Sequence, residues 1–169
     1  MGDLHVSWDD YHASIERLAA LVHESGWSFN QIICIARGGL RVGDMLSRIF
    51  RQPLAILSTQ SYTGEAGTVR GFITVAEHMT MTTPVLGDRV LLVDDLVDSG
   101  ITLGVVRDAL SERHPHIVEV RTAVIWQKAC STFKPDYAAI FLAEDPWIHQ
   151  PFEPYDVMDP ASLRGRLAG

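Results

Sequence analysis

Four short, unbroken apolar runs constrain this chain more than any other feature: IICIA at 32–36, LAIL at 54–57, VLLV at 90–93 and YAAIFLA at 137–143. A strand with one wet face alternates apolar and polar side chains, so an uninterrupted run implies a strand covered on both faces, the situation of a parallel sheet. Segments of helical period lie between them. Ser7 and Asp10 are spaced as N-cap and N3, and Tyr11, Ile15, Leu18, Ala19 and Val22 share one face up to Gly26, which predicts a helix at about 8–25. Leu40, Val42, Met45, Leu46 and Ile49 predict a second helix, and residues from Gly100 to about Arg113 a third. FITV at 72–75 and IVEVRTAVIW at 117–126 read as further strands. Alternating strands and helices predict an α/β fold, a mostly parallel central sheet flanked by helices, with a ligand site at the carboxyl ends of the strands.

The chain has 169 residues, which fits one domain over 1–169, and 47% hydrophobic with 21% charged residues is an ordinary globular balance. No apolar run approaches the roughly 20 residues needed to cross a bilayer, and MGDLHVSWDD has no signal-peptide character, so a cytoplasmic protein without an integral membrane segment is expected. Cys34 and Cys130 read as reduced, incidental thiols. A net charge of −7 argues against nucleic acid as a partner. The seven histidines are scattered without the spacing of a zinc site. Residues 58–71, STQSYTGEAGTVRG, have no sustained period and predict an extended loop or mobile hairpin.

Function concentrates in VLLVDDLVDSGITL, residues 90–103. Here an apolar strand runs into Asp94, Asp95 and Asp98, then Ser99, Gly100, Ile101 and Thr102. Asp98 or Ser99 could cap the following helix, yet capping accounts for only one of these residues. Adjacent carboxylates are best tolerated where they accept hydroxyl hydrogen bonds or sit near a divalent cation. Glycine and hydroxyls at a helix N-terminus favour a phosphate. Together they suit a phosphorylated sugar. Rival nucleotide folds lack their fingerprints, with neither G-x-x-x-x-G-K-[ST] nor a strand-borne G-x-G-x-x-G present.

This stretch resembles the signature of the type I phosphoribosyltransferases, in which a hydrophobic strand is followed by two acidic residues, a spacer, Asp-Ser/Thr-Gly and a Thr. The resemblance implies that Asp94 and Asp95 hold the ribose hydroxyls of phosphoribosyl pyrophosphate (PRPP), with Mg2+ bound directly or through water. It also implies that the backbone and hydroxyls of Asp98 to Thr102 cradle the 5′-phosphate. ARGGL is similar to the family's pyrophosphate loop, giving that role to Arg37, Gly38 and Gly39; glycines admit close approach, and a guanidinium suits phosphate oxygens. Ser61-Tyr62 matches the start of the mobile catalytic loop of purine members, where closure protects an oxocarbenium-like transition state from water.

The C-terminal third resembles bacterial and archaeal xanthine-guanine and hypoxanthine enzymes of this family. There Lys128 would donate to the purine 6-oxo group, Trp147 would stack on the base and the Ile148 backbone would read its edge. Asp98 would act as catalytic proton acceptor near N7. Ala129 departs from the Pro often found after that lysine. The resemblance covers about 5–157 and implies a core at about 5–143 with a small base-binding hood at about 144–160, in a homodimer or homotetramer. Its implied activity is purine salvage: phosphoribosyl transfer from PRPP to guanine, xanthine or hypoxanthine. The alternatives are transfer to another base, or a non-catalytic sensor of PRPP or a nucleotide, which usually carries a nucleic-acid face that this acidic chain lacks.

Overall fold

The computed structural model describes residues 2–62 and 72–166. Its elements, in chain order, are β1 (Leu4–His5), α1 (Trp8–Glu24), β2 (Gln31–Ala36), α2 (Gly39–Phe50), β3 (Leu54–Tyr62), β4 (Phe72–Val75), β5 (Thr80–Met81), β6 (Arg89–Val97), α3 (Ile101–Arg113), β7 (Glu119–Lys128), β8 (Tyr137–Leu142), β9 (Ile148–His149), a 3-10 turn (Glu153–Asp156) and α4 (Pro160–Arg166). Contacts divide the chain into two compact units, residues 14–145 and residues 1–13 with 146–169. No described helix is long and apolar enough to cross a membrane.

The larger unit holds a seven-stranded sheet in the order β4-β3-β2-β6-β7-β8, with β5 paired to β3. Pairings among β3, β2, β6, β7 and β8 are parallel, and those of β4 and β5 to β3 are antiparallel. Two of the four apolar runs are covered on both faces as expected: Ile32, Ile33, Cys34 and Ile35 of β2 and Val90 to Val93 of β6 are at most 2% exposed. YAAIFLA departs from the expectation, because β8 is the edge strand of the sheet and Phe141 is 61% exposed. Helix α2 buries Val42, Gly43 and Leu46, while α3 buries Leu103, Val106 and Leu110.

Chain order and sheet order diverge at one place. From β2 the chain steps to β3 on one side, whereas β6, on the other side of β2, continues to β7 and β8. The β2/β6 junction is thus a topological switch point, with the loops after both strands leaving in different directions. Residues 58–62 are not loop: β3 extends through Ser61 and Tyr62, which pair with Ile73 and Phe72 of β4. Residues 63–71, including Arg70, lie outside the described residues.

In the smaller unit the expected capping box forms at the start of α1. Asp10 N–H donates to Ser7 Oγ at 3.1 Å, and that hydroxyl contacts the Asp10 carboxylate at 2.5 Å. Strand β1 pairs in parallel with β9, Leu4 opposite Ile148 and His5 opposite His149. The residues expected for the hood therefore cluster with the N-terminus, a pairing between chain ends that no local pattern encodes.

Candidate active site

The glycines of ARGGL show how tightly the switch point is built. A Cβ on Gly39 would lie 2.7 Å from the carbonyl oxygen of Val93 and 3.1 Å from Asp94 Cα; on Gly38 it would run into the Asp95 carboxylate, 2.7 Å from its Cγ. At Gly39 no larger residue fits without displacing the loop from the β6 backbone, whereas at Gly38 the Asp95 side chain would have to turn aside. Gly38 and Gly39 thus bring the end of β2 against the paired carboxylates of β6. The Ala36–Arg37 peptide is cis, and Arg37 is exposed at the strand end.

Strand β6 continues through the acidic pair to Val97. Burial raises the Asp94 carboxyl well above the ordinary carboxylate range, and the neighbouring Asp95 charge adds to the rise. Backbone N–H groups of Asp95, at 2.9 Å, and of Gly39 partly offset it. A desolvated carboxyl beside a like charge is an unfavourable arrangement that a cation or donated hydroxyls would relieve.

Gly100, in the left-handed conformation with φ +83°, turns the chain into α3. A Cβ there would collide with Phe133 and lie 2.7 Å from Ser131 Oγ. Neither Asp98 nor Ser99 supplies a conventional cap: no side chain caps the helix through Gly100, and Ser99 Oγ accepts from Ile101 N–H only at 3.4 Å. The start of α3 borders a cleft of about 170 Å3 whose lining includes Asp94, Asp95, Asp98, Ser99, Gly100 and Thr102. The loop is braced from outside, since Thr132 donates from both N–H (3.1 Å) and Oγ1 (3.0 Å) to the carbonyl of Ser99.

Lys128, at the carboxyl end of β7, is buried at 7% exposure. Its ammonium lies 2.6 Å from Asp145 Oδ1 and 3.6 Å from Asp98 Oδ1. Burial lowers the affinity of the amine for its proton, but the carboxylates of Asp145 and Asp98 outweigh this and hold its pKa above the usual lysine value. An ammonium has three protons, so two acidic neighbours leave one for a ligand.

Two residues of this cluster escape the sequence reading. Asp145 follows β8, and only the β7/β8 pairing carries it to Lys128. Cys130 is free and exposed, and its Sγ lies 3.4 Å from Asp98 Oδ1, a proximity the sequence reading did not anticipate. Its position two residues beyond Lys128 was the one available signal. Burial pushes its thiol pKa up, with the Asp98 contact contributing. Cys34 is buried as expected, its pKa raised to about 11 by desolvation.

Trp147 and Ile148 belong to the smaller unit. The indole is 64% exposed and Ile148 is 6% exposed. Leu4 N–H donates to the Trp147 carbonyl at 2.8 Å and Val6 N–H to the His149 carbonyl at 3.0 Å. In a parallel pair a residue opposite Leu4 presents its own N–H and C=O to the other edge, so the Ile148 backbone groups face away from β1.

A doubly wound sheet with a glycine loop, paired carboxylates and an open helix N-terminus at its switch point defines a binder of phosphorylated, hydroxyl-bearing ligands. Residues 7–156 match the phosphoribosyl transferase domain family, and the chain belongs to that family. It is 31% identical to xanthine-guanine phosphoribosyltransferase of Gluconobacter oxydans over 94% of this chain and 89% of that protein. The crystal structure of a purine phosphoribosyltransferase from Pyrococcus horikoshii superposes with a TM-score of 0.72 at 29% identity, covering 94% of this chain and 99% of that one. The Helicobacter pylori xanthine-guanine-hypoxanthine enzyme shares the fold with a TM-score of 0.74 at 22% identity, covering 99% of each chain.

Proposed function

We propose that the chain is a 6-oxopurine phosphoribosyltransferase, joining N9 of guanine, xanthine or hypoxanthine to C1′ of PRPP and releasing pyrophosphate and the nucleoside 5′-monophosphate. The observation that carries this is the Lys128–Asp98 pair, 3.6 Å apart at the carboxyl ends of the adjacent strands β7 and β6. A 6-oxopurine presents an acceptor at O6 beside a donor at N7–H, and a buried ammonium next to an exposed carboxylate complements both. A 6-aminopurine would set its amino donor against the ammonium.

On this reading Asp98 takes the N7 proton as N9 bonds to C1′ and the bond to pyrophosphate breaks. Lys128 holds O6 and offsets the negative charge that builds there as the base loses its proton. The α3 amides with Ser99, Gly100, Ile101 and Thr102 hold the 5′-phosphate. Arg37, Gly38 and Gly39 take the pyrophosphate, and Asp94 and Asp95 the ribose hydroxyls. Desolvated, adjacent oxygen donors fit a hard divalent cation, so Asp94 and Asp95 would hold Mg2+, directly or through water. When bound, that ion supplies positive charge to the departing pyrophosphate. The exposed Trp147 indole and the outward-facing Ile148 backbone are suited to stacking and edge recognition within a hood at about 144–160. Ser61 and Tyr62 stand, on this reading, where the family's catalytic loop begins.

A magnesium-dependent assay of pyrophosphate release with guanine, xanthine, hypoxanthine and adenine tests the proposal. Turnover with at least one 6-oxopurine and negligible turnover with adenine is expected. Activity with none of the four would redirect the site to another base or to sensing.

A further inference from the structure

The face of the β1/β9 ribbon carries a second constellation. At matched positions of a parallel pair side chains project to the same side, and residues two apart along a strand share that side. His5 and His149 are matched, and Asp3 precedes His5 by two. The three therefore share one face, with Leu4 and Ile148 on the other. The two imidazoles stack with centroids 4.4 Å apart and planes 8° from parallel, so a single ion would take a nitrogen from both only with the His5 ring turned out of the stack. One ligand atom from each of Asp3, His5 and His149 lies within 4.8 Å of the others.

His149 is oriented from two sides, its Nε2 3.0 Å from Asp3 Oδ2 and its Nδ1 3.4 Å from Glu153 Oε2. His5 makes no such contact: among the described residues its ring meets only the face of His149. Beside the pair opens a cleft of about 410 Å3 whose lining includes His5, His149, Gln150 and Glu153.

We propose that Asp3, His5 and His149 form a binding site for one divalent transition-metal ion of the zinc, nickel or copper class. Two imidazoles are borderline donors that, with one carboxylate, suit those ions better than magnesium, whose sites are built from oxygen. Glu153 at Nδ1 of His149 is the outer carboxylate that metal-bound histidines commonly keep, fixing the tautomer so that Nε2 points to the metal. Three protein ligands leave a coordination position open toward the cleft, able to take water or a small anionic ligand. Coordination would also tie β1 to β9, two strands of two residues each that have little intrinsic stability.

Calorimetric titration of the chelator-treated, full-length protein with Zn2+ at neutral pH tests this. One ion per chain with a Kd of about 1 μM or tighter is expected, with Mg2+ giving no such binding and His5→Ala and His149→Ala each weakening Zn2+ at least about tenfold. Asp98, Cys130 and Asp145 also lie within ligating distance of one another, so the Co2+ spectrum of the wild-type protein decides between the clusters without any variant. Histidine and carboxylate coordination gives ligand-field bands with no thiolate-to-cobalt charge transfer. Absence of zinc binding, a thiolate band, or affinity unchanged in both histidine variants would overturn the proposal.

Discussion

Glu119 at the amino end of the central sheet and Asp94 at its carboxyl end are held in opposite ways. At the amino end Glu119 accepts from Trp27 Nε1 at 2.8 Å, pairs with Arg89 at 2.7 Å and with Arg121 at 2.8 Å, and its pKa is lowered, chiefly by the indole and Arg121 hydrogen bonds. Asp136 nearby accepts from both the N–H and the hydroxyl of Thr122, at 2.8 and 2.9 Å. At the carboxyl end Asp94 is desolvated beside another carboxylate and its pKa is raised. One end is satisfied by the fold itself. The other stores an electrostatic deficit that a bound ligand can relieve, which is how a binding site differs from a structural ion network.

Four substitutions test that contrast. Asp98→Asn, at the carboxyl end, is expected to lower kcat by about 10²- to 10⁴-fold while PRPP affinity, read by calorimetry, holds; unaltered turnover would remove Asp98 as proton acceptor. Lys128→Gln should cost roughly 10²-fold in kcat/KM for 6-oxopurines, with a smaller change for PRPP. Equal losses for both substrates would place the lysine outside the base pocket.

Asp94→Asn should weaken magnesium-dependent PRPP binding yet stabilise the ligand-free protein, by about 2–4 °C in melting temperature for roughly 1 kcal/mol. The sign follows from the raised pKa. Stability linked to protonated Asp94 is complete below its unfolded pKa and is lost as pH rises through the folded value, so the advantage of the variant should grow with pH across that window. Glu119→Gln should have the smallest effect, a loss of within about 2 °C and no change in kcat. Its linkage runs the other way. Stability from the lowered pKa is present above the unfolded value and lost as pH falls through the folded one, so the variant's deficit should fade on acidification. Melting curves of both variants from pH 3 to 8 that shifted in the same sense would break the comparison.

Much of the nucleotide half of the site is legible in the sequence because it is contiguous. The run from Val90 to Thr102 specifies its own strand, turn and helix start, and the unbroken apolarity of β2 and β6 already implies a sheet covered on both faces. Legibility fades where partners come from separate strands. Cys130 reads as incidental until the β6/β7 pairing sets it beside Asp98, and nothing in the sequence singles out Asp145 until the β7/β8 pairing brings it to Lys128. The scattered histidines lack metal spacing, yet Asp3 and His149, 146 positions apart, meet across a parallel ribbon.

What the sequence determined alone was therefore the α/β architecture and the acidic, glycine-bearing strand end, since local periodicity and turn chemistry are written in neighbouring residues. The tertiary structure decided the carboxylates around Lys128, the desolvation that raises Asp94, and the shared face of His5 and His149. Each depends on which strands lie side by side and in what register, and register is settled by burial summed over the whole sheet, which no single segment contains.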